Sequence, residues 1–353
     1  MRRFSKVCLI VFVIPTIIFW LFLVKQISPE PSQVSGLVEV NEPSEIVITI
    51  SALGDCALGN EFAQRGHTFA DVYAEKGAAY FFANVKEVLA ADDLTIANLE
   101  TCLTNEHQKR NKSVEKTPFW IKGEPGYTQI LKEASIEVVN IANNHTFDYG
   151  QLGFEETLQS LDKADIAYCG YEHEVIKEIK GIKIGFLGFC QFGNREKQLN
   201  KEIKEQIETL KTKVDLMIVS FHWGSELAVK PSPKQYELAK IAVEAGADLV
   251  LGHHPHVLQG IGEYQGKTVV FSLGNFCFGA NRLPHDRDTI IYQHRFTFKN
   301  GELLKSQNII IPCSMTTTRG LNDFQPTILS GGEVLRVRQK LFERTQMIVW
   351  PDW

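Results

Sequence analysis

Of the ten histidines in this 353-residue chain, four stand where a short apolar run gives way to polar residues: His145, His222, His254 and His256. Acidic and amide residues keep them company. Asp55 follows IVITISALG, Asn98 and Glu100 follow LTIA, Asn143-Asn144-His145 follows EVVNIA, His222 follows LMIVSF, and His253-His254-Pro255-His256 follows LVLG. Taken singly, each has a plain reading, since Asp or Asn after a strand is a common turn or cap residue. Taken together they offer carboxylate oxygen, amide oxygen and imidazole nitrogen with no thiolate motif, a donor set suited to one or two divalent ions such as Mn, Fe or Zn. Four imidazoles buried in one layer have no simpler use. In His254-Pro255-His256 the proline precludes helix, and an extended H-x-H is expected to turn both rings to one side.

Such residues work only if five chain segments meet. The apolar runs Ile46 to Ser51, Leu94 to Ala97, Glu137 to Ile141, Ile182 to Phe189, Leu216 to Phe221, Leu249 to Leu251 and Thr268 to Ser272 read as strands of a sheet core. Between them, Phe81 to Leu89, Tyr127 to Ala134, Leu152 to Lys163, Gln198 to Lys211 and Pro233 to Ala245 carry helical periodicity. Ser232, Pro233 and Gln235 form a start signal for the last of these. Alternation of strands with helices of this length predicts an α/β domain, in which ligands bind beyond the carboxyl ends of the strands. Near the end, Ile290 to Phe298 and Leu303 to Ile311 flank Asn300-Gly301, a hairpin signature.

The motifs Leu53-Gly54-Asp55, Ala97-Asn98-Leu99-Glu100, Asn143 to Gly150 (NNHTFDYG), Phe221 to Glu226 (FHWGSE), Gly252 to His256 (GHHPH) and Ser272 to Phe276 (SLGNF) run in order from about residue 46 to 280. As a set they resemble the CapA family, the capsule and poly-γ-glutamate synthesis proteins of bacterial envelopes, also called PgsA. That family in turn resembles the calcineurin-like metallophosphoesterases. The resemblance implies a four-layer α/β/β/α sandwich with a divalent-metal site. It implies Asp55 as the metal-bridging or first-metal carboxylate, Glu100 near the second acidic position, and Asn144, His222, His254 and His256 as ligands. His145 would protonate a leaving group, while Asn98, Asp148, Trp223, Glu226, His253 and Asn275 are candidates for substrate contact, with Trp223 equally readable as core. Two departures stand out: Asp55-Cys56-Ala57 replaces D-x-H, removing a histidine ligand, and Asn98-Leu99-Glu100 replaces G-D-x-x-D. The implied substrate is an anionic polymer such as poly-γ-glutamate, handled beside a membrane synthase complex. A phosphoesterase and a non-catalytic assembly module are the alternatives.

Composition excludes other classes. With 37 basic and 42 acidic side chains the formal charge is −5, and no basic block reads as a nucleic-acid stripe. Val7 to Val24 is an uncharged apolar run preceded by Arg2, Arg3 and Lys6. It predicts a retained single-pass anchor (residues 7–24), a cytoplasmic start (1–6) and an extracellular domain (46–353), in a membrane that the resemblance implies is bacterial. Pro29, Pro31 and Pro43 among serines and glutamates make 25–45 a tether. The seven cysteines show no CxxC pair or regular spacing and are expected to be mostly buried thiols. Asn144-His145-Thr146 and Asn111-Lys112-Ser113 match the glycosylation pattern by accident in a bacterial family, and Lys197 to Lys213 reads as the solvated face of a helix.

Overall fold

The structure is a computed structural model that describes residues 45–61, 65–113, 118–193 and 196–351. The anchor at 7–24 and the tether up to residue 44 lie outside the described residues, and among the described residues no helix is long and apolar enough to cross a membrane.

Strand parity builds the core. In the first strand, Ile46–Ala57, the side chains of Ile48, Ile50 and Ala52 enter one core and that of Leu53 enters another. The same split recurs in Leu94–Leu99, where Leu94 and Ile96 face the first core and Ala97 and Leu99 the second. Leu216–His222 and Leu249–His253 send Leu216, Ile218, Leu249 and Leu251 into that same first core from the opposite side. The first core is therefore the seam between two sheets.

The first sheet has the order Thr327–Ile328, Glu302–Ser314, Asp288–Lys299, Ile46–Ala57, Leu94–Leu99, Val138–Asn140, Ala167–Cys169, and Asn275–Phe278 also pairs in parallel with Ile46–Ala57. The second runs Ile261–Tyr264, Lys267–Val270, Leu249–His253, Leu216–His222, Ile182–Cys190, Val175–Ile179. Helices Phe69–Lys76, Thr128–Glu133 and Gly150–Lys163 cover the outer face of the first through Phe69, Ile130, Leu131 and Leu161. Glu196–Lys211 and Pro233–Ala245 cover the second through Ile203, Ile207, Leu238 and Ala242. The layers are helix, sheet, sheet, helix, with aliphatic and aromatic side chains filling the seam.

Several expectations hold at residue level. Ser232 and Gln235 form a reciprocal capping box on the helix that begins at Pro233, and Asn300 and Gly301 turn the hairpin with φ of 56° and 80°. The six described cysteines are free and mostly buried. Phe81 to Leu89 departs from expectation. Only Lys86–Leu89 is α-helical, because Val85 at φ −128° breaks the run, and Phe81, Phe82 and Val85 are buried from irregular turns.

Candidate metal centre

Parity also aims the polar residues. Asn98 continues the inward register of Leu94 and Ile96, Asn140 that of Val138, His222 that of Leu216 and Ile218, and His253 that of Leu249 and Leu251. All four enter the open end of the seam. Asp55 would point the other way, with Leu53, but the pairing with Leu94–Leu99 shifts register between Ala52 and Asp55. This bulge turns the carboxylate toward the second sheet. A close backbone approach holds the turn, since the Asp55 amide donates to the Gly274 carbonyl at 2.8 Å and a Cβ at Gly54 would lie 2.0 Å from that oxygen. Only glycine fits there.

Glu100 is the hub. It follows Leu99, its amide donates to the Cys56 carbonyl at 2.9 Å, and its carboxylate is fully buried with neither oxygen hydrogen-bonded. Around Oε1 stand Nε2 of His222 at 3.5 Å, of His256 at 3.9 Å and of His145 at 4.0 Å. Two donor groups share this carboxylate: Glu100 with His222 and His254, and Glu100 with Asp55 and His256, each with ligand atoms within 4.8 Å of one another. The carboxylate common to both groups is thus Glu100, and Asp55 belongs to one of them, the place of a carboxylate on a single metal. A buried carboxylate with two unbonded oxygens is costly unless a cation meets it, and this donor set fits a divalent ion on chemistry as well as geometry.

The neighbours orient these donors. Asp55 Oδ1 accepts from Asn98 Nδ2 at 2.8 Å, Oδ2 accepts from the His254 amide at 3.1 Å, and the Nδ1 atoms of His256 and His253 stand 3.4 and 3.6 Å from its oxygens. Asn140 steadies Asn98 through a 2.8 Å bond to Oδ1. Asn144 Oδ1 lies 2.8 Å from His222 Nε2, and Asn275 Oδ1 lies 2.8 Å from His256 Nδ1. The rings of His254 and His256 converge, with centroids 5.5 Å apart, but not by extended alternation. His254 has φ 92° and His256 φ 57°, so Pro255 joins two left-handed residues rather than a strand. Such backbone costs about 1–3 kcal/mol per residue and concentrates at functional sites.

The electrostatics match a site built for positive charge. Burial and the Asp55 charge push the Glu100 carboxyl well above its ordinary range. Burial would raise Asp55 too, but His256 and His253 override it and hold Asp55 low. Burial drives His254 down to about 3 and His253 to about 4, keeping both rings neutral. At His256 the charges of Glu100 and Asp55 overcome burial and raise it to about 10. Its ring thus stands between two carboxylates, Asp55 on the Nδ1 side and Glu100 on the Nε2 side, a place where a divalent ion is the stronger partner.

His145 is placed by a clamp. Asp148 Oδ2 lies 2.6 Å from His145 Nδ1 and accepts from the Ile121 amide at 2.8 Å, while Lys112 Nζ reaches Asp148 Oδ1 at 2.6 Å and donates to the Phe119 carbonyl at 2.8 Å. The Phe119 ring packs on the imidazole at 5.0 Å. Nδ1–H toward Asp148 leaves Nε2 facing Glu100.

Of the candidates for substrate contact, Asn98, Asp148, His253 and Asn275 are oriented within the cluster, and Glu226 is exposed with its charge adding to the negative field at Glu100. Trp223 is different. By parity it falls with Met217, Val219 and Phe221 on the helix side, is wholly buried, stacks on Phe221 at 4.5 Å and donates to the Phe271 carbonyl at 2.8 Å. It is core. Sequence reading missed Lys112, whose burial has no local signal, and Asn140, which the inward register of VVN does signal.

The family model described as "Bacterial capsule synthesis protein PGA_cap" matches residues 49–280, which includes every donor in this cluster. The chain belongs to that family. "Capsule biosynthesis protein CapA" of Bacillus anthracis is 31% identical over 253 residues, covering 65% of this chain and 60% of that protein. "PGA biosynthesis protein CapA" of Bacillus subtilis (strain 168) is 30% identical over 282 residues, covering 74% of this chain and 71% of that protein. The chain thus spans about 60% of the first relative's length. Among solved structures, a hypothetical protein from Thermus thermophilus aligns over 75% of this chain and 99% of its own at 14% identity, with a TM-score of 0.46.

Proposed function

We propose that this family member is an envelope protein, anchored by residues 7–24 with its α/β domain outside the cell, that acts in the synthesis, export or processing of poly-γ-glutamate through a divalent-metal centre of metallophosphoesterase type. The observation that carries the reading is the Glu100 carboxylate, buried, unbonded and shared between two His-containing donor groups, in a chain of the capsule synthesis family. When bound, a divalent ion supplies electrostatic polarisation and a counter-charge for polymer carboxylates. Asp55, Glu100, Asn144, His222, His254 and His256 hold it. Asn98, Asn140 and Asn275 fix the orientation of those ligands, and hydrogen-bonded outer partners of this kind tune a metal site as much as the ligands do.

The clamp on His145 favours a hydrolytic use of the site. With Nδ1 committed to Asp148, Nε2 is the atom at which a proton is held or delivered to a leaving group, at a polymer amide or at a phosphoester. Ala57, where D-x-H places a ligand, weighs against two-metal phosphoester chemistry and toward the polymer. Metal analysis tests the centre: replacing His254 and His256 together by Ala is expected to abolish divalent-ion content and polymer production, and an unchanged ion content sinks the assignment. If the wild-type protein turns over poly-γ-glutamate or a generic phosphodiester, His145→Ala should lower turnover about 10²- to 10⁴-fold with metal retained. Binding without turnover under several metals leaves an assembly role.

A further inference from the structure

A cavity of about 500 Å³ lies at the edge of the first sheet. The start of strand Asp288–Lys299, the loop after strand Glu302–Ser314 and the first turns of helix Gly332–Gln346 enclose it. Strand pairing gives its place. Ala52 opposes Tyr292 and Asp288 opposes Ser314, so the cavity opens at the same strand ends as Asp55. With Asn275–Phe278 beside Asp55 at this end, it lies three to four strand spacings along, roughly 14–19 Å.

The acids that line this cavity are already spoken for. Asp288 pairs with Arg336 at 2.6 Å and with Lys340, Asp286 with Lys340 at 3.0 Å, and Glu333 with Arg336 at 2.9 Å. That leaves two guanidinium groups without a carboxylate. Arg319 makes no hydrogen bond or ion pair among the described residues, and Arg287 spends one N–H on the Gly320 carbonyl at 3.1 Å while its buried Nε finds no acceptor. The helix that begins at Gly332 has no side-chain cap, and its start borders the same space through Glu333 and Arg336.

We propose that this cavity is a carboxylate-binding subsite for an anionic chain, holding acidic groups of a polymer whose neighbouring units lie over the metal centre. It rests on the polymer reading above. Planar guanidinium groups match carboxylate geometry, and two of them within one cavity beside a helix start suit a ligand that presents repeated carboxylates better than a single small anion.

The test uses the full chain in detergent and a fluorescein-labelled γ-linked glutamate decamer, with anisotropy at low salt and metal content measured in parallel. Arg319→Gln changes an exposed side chain and should weaken decamer binding about tenfold, and the R287Q/R319Q pair about a hundredfold, with metal content unchanged. Unlabelled decamer should compete far better than monomeric glutamate or inorganic phosphate. Wild-type affinity in both variants overturns the subsite, and so does competition by inorganic phosphate equal to that of the decamer. The wider reading fails separately. If H254A/H256A cells make normal polymer, the metal centre loses its role while arginine-dependent decamer binding stands.

Discussion

At the scale of single residues, the clamp behind His145 rests on a pair of buried charges that stabilise one another. Lys112 and Asp148 are almost fully buried, and the carboxylate also serves His145 and the Ile121 amide. Removing one member of a buried pair leaves the other charge unpaired, at a cost of about 3–5 kcal/mol. Lys112→Met is therefore expected to destabilise the domain by that amount in chemical denaturation. Lys112→Met with Asp148→Asn should recover part of the loss, because no lone charge remains. A Lys112→Met protein as stable as wild type would show that the pair is not formed.

At the scale of elements, the helix Gly332–Gln346 buries little more than Val337 and Leu341, so its docking leans on Arg336 and Lys340 meeting Asp288. Those cations overcome burial and hold the Asp288 carboxyl below its ordinary value. A depressed carboxylate contributes stability that is complete above the unfolded pKa near 4 and is lost as pH falls through the lower folded value. Because Arg336 and Lys340 are partly exposed, Asp288→Asn should cost about 1–2 kcal/mol at neutral pH. The gap between variant and wild type should close at acid pH, as thermal melts across pH 3 to 7 would show. The same helix explains what sequence reading could not see. GEVLRVRQKLFERTQ has too thin an apolar stripe to announce a helix, whereas the inward faces of LTIAN, LMIVSFH and LVLGH were legible because period-2 burial writes itself into composition. Trp223, readable as substrate contact or as core, is decided for core by a parity that Phe221 two residues before it already declared. The bulge that re-aims Asp55 and the left-handed backbone at His254 and His256 arise from packing between the sheets, which no local pattern encodes.

At the scale of the molecule, the expected topology puts the domain outside the cell, and external protease on intact cells should release it. Digestion only after lysis would reverse that orientation. Within the domain, Asp55, Asn98 and Glu100 belong to the first sheet and its loops, and His222, His253, His254 and His256 to the second. An ion held by both sheets stabilises only their native docking. At 100 times its Kd it adds about 2.7 kcal/mol, so a chelator should lower the melting temperature and re-addition of the ion restore it. The contact between Asp55 and the His254 amide spans 199 residues of sequence, and only a fragment that includes residues 55–256 contains both donor groups. An ion bound by both donor groups would therefore depend on the docking of both sheets. A chain that holds an ion in this centre would, by that fact, have registered its two halves.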